Sequence, residues 1–376
     1  MEKVRYITNI QKITELSAIE HDLRQPVIDT FAFRTNTYYQ SLIDWSDPKD
    51  PIRRLIIPST AELQTWGRLD ASNEEKYTKV PGLQHKYTHT ALLLVNDVCG
   101  GYCRFCFRKR LFMDISDEVV RDISEGVEYI RKHREINNVL LTGGDPLVMS
   151  TNKLTNIIRQ IREIPHVHII RIGSKMPAFN PYRIINDPTF IDMLRTYSLN
   201  KKKIYLMAHF NHPRELTDVA IEALNMVIKA GVIVVNQTPL LRGINDAPEV
   251  MTELMNKLSY IGVPPYYFFQ CRPTLGNKLF SVPVEESFDI FENARMHCSG
   301  LAKRARLVMS HSTGKIEIVG LTDEHIFFRY HRAAKPRDKA RFMVFKRNPR
   351  AYWFDDYAEV SKKYSVVNPL RCYGPE

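Results

Sequence analysis

From about residue 85 the chain alternates between short runs of β-branched, leucine and aromatic residues and longer segments with apolar positions every three or four residues. The runs ALLLV, NVLL, HIIRI, KIYLMAHF, VIVVNQ and PYYFFQ predict six strands. Between them DEVVRDISEGVEYIRKH, STNKLTNIIRQIREI, DPTFIDMLRTYS, LTDVAIEALNMVIKAG and APEVMTELMNKLSYIG predict amphipathic helices. Strands this apolar, each followed by a crossover helix, fit a parallel sheet buried on both faces. The economical reading is an α/β fold, a partial (β/α)6 barrel over residues 81–320, with a doubly wound sheet as the alternative. Residues 1–80 show helical spacing at Ile7, Ile10, Ile13 and Leu16, then Leu23 and Val27, with breaks at DPKDPIRR and IIPSTAELQTW, which predicts an N-terminal helical appendage. Residues 321–376 form a C-terminal extension. Its aromatic and basic start, LTDEHIFFRYHRAAKPRDKARFMVFKR, predicts strands packed on the body or a subunit contact.

Functional groups of such a barrel belong in the loops after the strands. Polar signatures fall there in turn: CGGYCRFC, GGDPL, GSK, HFNHP, NQTPLLRGIND and QCRPTLGN. With 376 residues, 44% hydrophobic and 25% charged, the chain can bury a large core, which excludes disordered and collagen-like classes. A net charge of +11 favours anionic partners, whether nucleic acid, acidic lipid, phosphate-bearing cofactors or carboxylate substrates. Six cysteines, three of them bunched, do not make a disulfide scaffold and imply a reducing compartment. The start has no apolar signal core and no run of about 18 apolar residues occurs, so a cytoplasmic protein without a membrane partner is expected.

Cys99, Cys103 and Cys106, spaced C-x3-C-x2-C, bring three thiolates within eight residues of loop, with no fourth ligand nearby. Structural zinc usually takes four closed ligands, whereas three thiolates suit a four-iron cluster with one iron open. Zinc and incidental buried cysteines are the alternatives. Cys271, Cys298 and Cys372 read as small hydrophobes. The cysteine segment resembles the radical S-adenosylmethionine enzymes, whose pattern follows the first strand of a partial barrel with an aromatic residue before the last cysteine, here Phe105. The resemblance implies a [4Fe-4S] cluster on Cys99, Cys103 and Cys106, with S-adenosylmethionine on the open iron, cleaved reductively to a radical that takes hydrogen from an unactivated C–H bond. It implies S-adenosylmethionine contacts at Gly143, Gly144 and Asp145 in LLTGGDPL and at His209 and Asn211 in HFNHP.

Over about 80–320 the segments HKYTHTALLLV, CRFCFRKR, LLTGGDPLV, RIGS, HFNHPREL, NQTPLLRGIND and PYYFFQC are similar, in the same order, to lysine 2,3-aminomutase and its relatives. This implies pyridoxal 5′-phosphate joined to a lysine after a glycine-containing loop, here MSHSTGKIEIVG and Lys315. Lys86, Tyr87 and Gln237 match residues at the cofactor phosphate, and the arginine the family places after HKY is missing, with His89 and Thr90 in its neighbourhood. Arg108 matches the arginine that grips the substrate α-carboxylate in two parallel hydrogen bonds. Lysine 2,3-aminomutase pairs the substrate ε-ammonium with an aspartate in the segment that reads QCRPTLGN here. This chain has Arg272 there, and a second acid's place falls on Met309 or Ser310. Two lost acids and a gained cation disfavour lysine and favour a side-chain carboxylate. The expectation is an isomerase, a glutamate 2,3-aminomutase, acting on a free amino acid, with an electron donor such as a flavodoxin or ferredoxin, as a homo-oligomer. Free or protein-bound lysine is the alternative substrate. A zinc-containing, basic nucleic-acid-binding protein is the alternative of another class, resting on the charge and on RYHRAAKPRDKARFMVFKR.

Overall fold

A computed structural model describes residues 4–113 and 118–358. The apolar runs lie side by side in one sheet of twelve strands: β1 (Thr78–Val80), β2 (Leu83–Tyr87), β3 (Thr90–Asn96), β4 (Asn138–Gly143), β5 (Ile169–Ser174), β6 (Ile204–Ala208), β7 (Ile233–Leu240), β8 (Pro265–Gln270), β9 (Arg306–His311), β10 (Gly314–Leu321), β11 (His325–Ala333) and β12 (Phe342–Lys346). Each strand neighbours the next in chain order. Strands β3 to β9 run parallel, flanked by antiparallel β1 and β2 on one side and β10 to β12 on the other. The sheet stays open, as a partial barrel requires.

The six expected strands are β3 to β8. Helices α2 (Ser124–Lys132), α3 (Thr151–Arg162), α4 (Pro188–Tyr197), α5 (Asp218–Lys229) and α6 (Pro248–Tyr260) stand between them, following α1 (Ala18–Thr30). A seventh parallel strand, β9, comes after α7 (Val284–Met296). Helix α3 turns Leu154, Ile157, Ile158 and Ile161 to one face, all buried, and each such side chain contributes roughly 1.5–3 kcal/mol by leaving water. Along β7, Val234, Asn236, Thr238 and Leu240 are buried while Val235, Gln237 and Pro239 stand on the other face. In β5 the same alternation buries Ile170 and Ile172 and leaves Arg171 on the opposite side.

Two expectations change. The spacing of Ile7, Ile10, Ile13 and Leu16 does not make an α-helix: Tyr6–Ile7 pairs with Thr35–Asn36, and Ile10–Lys12 is a 3-10 turn with Ile10 and Ile13 fully buried. A period of three suits a 3-10 turn as well as an α-helix, and α1 is the one helix of more than six residues before β1. The segment MSHSTGKIEIVG is a hairpin rather than a loop alone, β9 turning at Ser312 and Thr313 into β10, with Lys315 on the strand. Gly314 is needed there because a Cβ would lie 2.4 Å from the Arg332 carbonyl oxygen.

The basic, aromatic stretch forms β11 and β12. Ile326, Phe328, Tyr330, Met343 and Phe345 are buried in one core with Phe291 of α7. Its aromatic side chains therefore serve packing, and the interleaving that suggested nucleic-acid binding is the period of a half-buried strand. The segment before β1 is stitched to the cysteine loop: Tyr102 N–H donates to the Arg34 carbonyl at 2.9 Å, Arg104 N–H to that of Leu55 at 2.9 Å, and Asn36 Nδ2 to that of Gly100 at 3.1 Å. Cys372 lies outside the described residues.

Candidate active site

The cysteine loop leaves the end of β3. Burial raises the thiols of Cys99, Cys103 and Cys106, Cys103 to about 12, and the charge of one or both of the other two raises each of Cys99 and Cys103 further. Lys175 pulls Cys103 the other way, and Lys109, Arg108 and Arg110 do so for Cys106. Three half-buried thiols in one loop beside cations fit a bound metal cluster, which deprotonates its thiol ligands outright. Among the described residues no group of three or more His, Cys, Asp or Glu side chains converges on a single metal ion. The loop is fixed by buried ion pairs: Arg104 clasps Glu62 through Nε and Nη2, the latter at 2.8 Å, and Phe105 packs edge-on against His209 with ring centres 5.8 Å apart.

At the end of β4, a Cβ on Gly143 would lie 2.4 Å from the Asn96 carbonyl oxygen and one on Gly144 2.5 Å from that of Val98. The glycines thus let β4 lie against the stem of the cysteine loop. The Asp145 carboxylate is spent on its own chain, accepting from Leu147 N–H at 2.9 Å, Ser174 Oγ at 3.0 Å and Lys175 N–H at 2.7 Å, with burial raising it to about 6. After β6, His209 Nε2 and Asn211 Nδ2 are buried without a partner. Burial, then Lys175, hold His209 well below the usual histidine range. Two orphaned polar atoms beside the thiols fit a polar ligand such as S-adenosylmethionine. Lys175, missed at first, donates to Asn211 Oδ1 at 2.8 Å and to Glu215.

A cavity of about 110 Å³ opens on the other side of the mouth, its wall including Glu74, Lys86, Tyr87, Arg171, Arg272 and Arg332. Tyr87 Oη, Arg272 Nη1, Ser72 Oγ and Gln84 Nε2 on that wall are buried without a partner. Lys315 Nζ lies over the rings of Tyr267 and Phe269, 4.4 and 4.5 Å from their centres. Burial, then Arg272, Arg332, Arg171 and Lys86, push its amine well below the usual lysine range. Burial and Arg272 likewise bring Lys86 down to about 7, and Lys86 donates to the His311 carbonyl. A lysine whose amine is pushed towards its neutral form among cations, with orphaned donors around it, fits pyridoxal 5′-phosphate.

Arg272 turns inward, its guanidinium 3.5 Å over the Phe107 ring. Of the two candidate places for the lost acid, Ser310 lines the cavity and Met309 is core. Arg108 is already paired: Nη2 meets Glu74 Oε1 at 2.8 Å and Nη1 donates to Thr142 at 3.0 Å. Gln237, on β7, is not among the residues lining the cavity. Glu74, Arg171 and Arg332 were missed. Arg171 carried a signal, a lone charge inside the apolar run HIIRI; Glu74 and Arg332 carried none.

A larger hollow of about 290 Å³ lies between α7, β9 and β10. Two of its lining arginines meet acids, Arg295 with Glu292 at 2.6 Å and Arg306 with Glu317 at 2.8 Å, and Arg304 donates to the Leu301 carbonyl at 3.0 Å.

Residues 93–255 match the model of the radical SAM superfamily. A protein of Aquifex aeolicus named "Putative L-lysine 2,3-aminomutase" is 60% identical over 364 residues, 96% of this chain and 97% of its own. The L-lysine 2,3-aminomutase of Clostridium subterminale is 39% identical over 79% of this chain and 71% of its own. The glutamate 2,3-aminomutase of Clostridioides difficile is 36% identical over 80% and 70%. With this likeness running through the thiol loop, the strand ends and the lysine hairpin alike, the chain belongs to the radical S-adenosylmethionine 2,3-aminomutases, isomerases that work with a [4Fe-4S] cluster, S-adenosylmethionine and pyridoxal 5′-phosphate.

Proposed function

We propose that this chain moves the α-amino group of a free acidic amino acid, glutamate first among them, to the β-carbon. The observation that carries the substrate reading is Arg272, on the cavity wall with its Nη1 buried and without a partner among the described residues. A lysine substrate would bring a second cation beside it, and a buried like-charge contact costs several kcal/mol. A side-chain carboxylate would instead make a two-pronged, charge-assisted pair.

Cys99, Cys103 and Cys106 are the proposed cluster ligands. His209 and Asn211 are proposed to meet S-adenosylmethionine, with Gly143, Gly144 and Asp145 holding the strand ends in place. Lys315 is the proposed cofactor lysine, and burial and neighbouring cations push its amine well below the usual lysine range, towards the neutral form that an aldehyde needs. Lys86 and Tyr87 are proposed to bind the cofactor, with Gln237 further along the inner face. Arg108 is proposed to take the α-carboxylate in exchange for Glu74. When bound, the cofactors supply the hydrogen-abstracting radical and the conjugated ring that carries the migrating nitrogen. The surrounding side chains hold the reacting pieces within range and keep water out. A flavodoxin or ferredoxin as electron donor, a homo-oligomer and a cytoplasmic location belong to the same proposal. Among the described residues no helix is long and apolar enough to cross a membrane.

Lysine is the second reading, favoured by the names of the relatives above and by the Glu74 carboxylate on the cavity wall. Anaerobic assays of the reconstituted protein with glutamate, with lysine and with a lysine-bearing protein separate the readings. The expected product is β-glutamate, and Arg272→Asp should lower its yield. Formation of β-lysine alone would overturn the glutamate reading.

A further inference from the structure

We propose that Arg332 and Arg171 form the seat of the cofactor phosphate, so that β11, paired with the strand that carries the lysine, supplies part of its charge and β5 the rest. The proposal rests on the reading of Lys315 above. Between β10 and β11, Glu317 faces Arg329 and Ile316 faces Tyr330, so plain alternation would set His331 opposite Lys315 and turn Arg332 towards the packed face. A bulge intervenes and sets Arg332 opposite Lys315 instead. Bulges re-aim side chains in this way beside active sites. Set there, Arg332 helps to disfavour the charged form of the Lys315 amine, and among the described residues neither has a carboxylate partner.

The surroundings point to an anion between them. Arg332 Nη2 donates to Thr90 Oγ1 at 2.8 Å, and its guanidinium lies 4.2 Å over the Tyr87 ring, whose hydroxyl is buried without a partner. Arg171 reaches the same cavity from β5 with only Asn138 Oδ1, at 2.8 Å, as its hydrogen-bond partner. The stretch THT after Lys86 and Tyr87 has no arginine of its own. Arg332, far away in sequence, brings a guanidinium to Thr90. A phosphate matches two converging guanidiniums and a tyrosine hydroxyl in both charge and donor geometry.

The test is calorimetric binding of pyridoxine 5′-phosphate, with S-adenosylmethionine binding to the iron-loaded protein as the comparison. Pyridoxine 5′-phosphate has no aldehyde, so it reports the phosphate seat without Lys315. Failure of the Lys315 reading would appear separately, as an unchanged lysine-linked chromophore in Lys315→Ala. Arg332→Met is expected to weaken pyridoxine 5′-phosphate about 10- to 100-fold, as loss of a charge-assisted contact does, with S-adenosylmethionine affinity within about twofold and Arg332→Lys recovering most of the loss. Should Arg332→Met not fold, Arg171→Met carries the same readout. Unchanged affinity, or parallel loss of both ligands in both methionine variants, would overturn the proposal.

Discussion

The two sides of the mouth handle charge in opposite ways. Around the thiols most buried cations meet an acid: Arg104 has Glu62, Arg108 has Glu74, and Lys175 has Glu215, while Lys109 donates to the Arg104 carbonyl at 3.1 Å. Around Lys315, the cations Lys86, Arg171, Arg272 and Arg332 have no carboxylate partner among the described residues. Glu74 borders both sides, but Arg108 and Arg110 take both of its oxygens. The balanced side is a finished frame for a loop that must hold its shape. The unbalanced side is held apart from its counter-charges, which suits it to anions.

The largest effect is expected at the centre of the unbalanced side. Lys315→Ala should abolish the lysine-linked chromophore and lower turnover by a factor on the order of a thousand or more, with iron content unchanged; absorbance and an anaerobic assay check both. Next comes the frame. Glu74→Gln would leave Arg108 and Arg110 without their shared acid, and breaking such a buried pair costs about 3–5 kcal/mol, read as a shift in the denaturation midpoint. The pH dependence gives this a sign. Burial alone would raise the Glu74 carboxyl, but Arg108 and Arg110 outweigh it and hold the group well below the carboxylate range. Its contribution is fully present above its ordinary value of 4.5 and is lost as the pH falls below it. The Glu74→Gln variant should lack that part of the acid transition.

A smaller effect of opposite character belongs to Lys86. Burial and Arg272 lower it from 10.5 to about 7, so between those values the unfolded chain binds the proton that the folded one has lost, and stability rises with pH. The ligand-free protein should gain about 2 kcal/mol from this group between pH 7 and 9, and Lys86→Met should flatten that rise in a series of melting curves. The hollow beside α7 gives the smallest effect. Arg295→Ala, which removes a partly exposed pair, should cost under about 1 kcal/mol and leave turnover unchanged.

How much of this was legible depended on whether the signal was local. The strands β3 to β8 and their helices follow from apolar periodicity, and the thiol trio from spacing within one loop. Arg272 was found as a change of charge type at one position, and the structure turns it into the cavity. Strand β9 was hidden because RLVMSH reads equally well as the approach to a loop. Arg332 was beyond sequence reasoning, since alternation along β11 assigns it to the wrong face and only a bulge in its pairing with β10 corrects that. Glu74 lies in a polar stretch, ASNEEKY, whose burial against Arg108 and Arg110 is a tertiary event. The net charge of +11 favoured anionic partners, but composition cannot locate four cations around one cavity.

The central claim is that the unbalanced side accepts a substrate whose side chain is an anion. Titration of the cofactor-loaded protein with glutamate and with lysine, followed through the absorbance change as each amino acid displaces Lys315, tests it without any radical step. The account expects glutamate to reach half-saturation at a concentration at least about tenfold lower than lysine, the size of one charge-assisted contact. Lysine saturating first would contradict it.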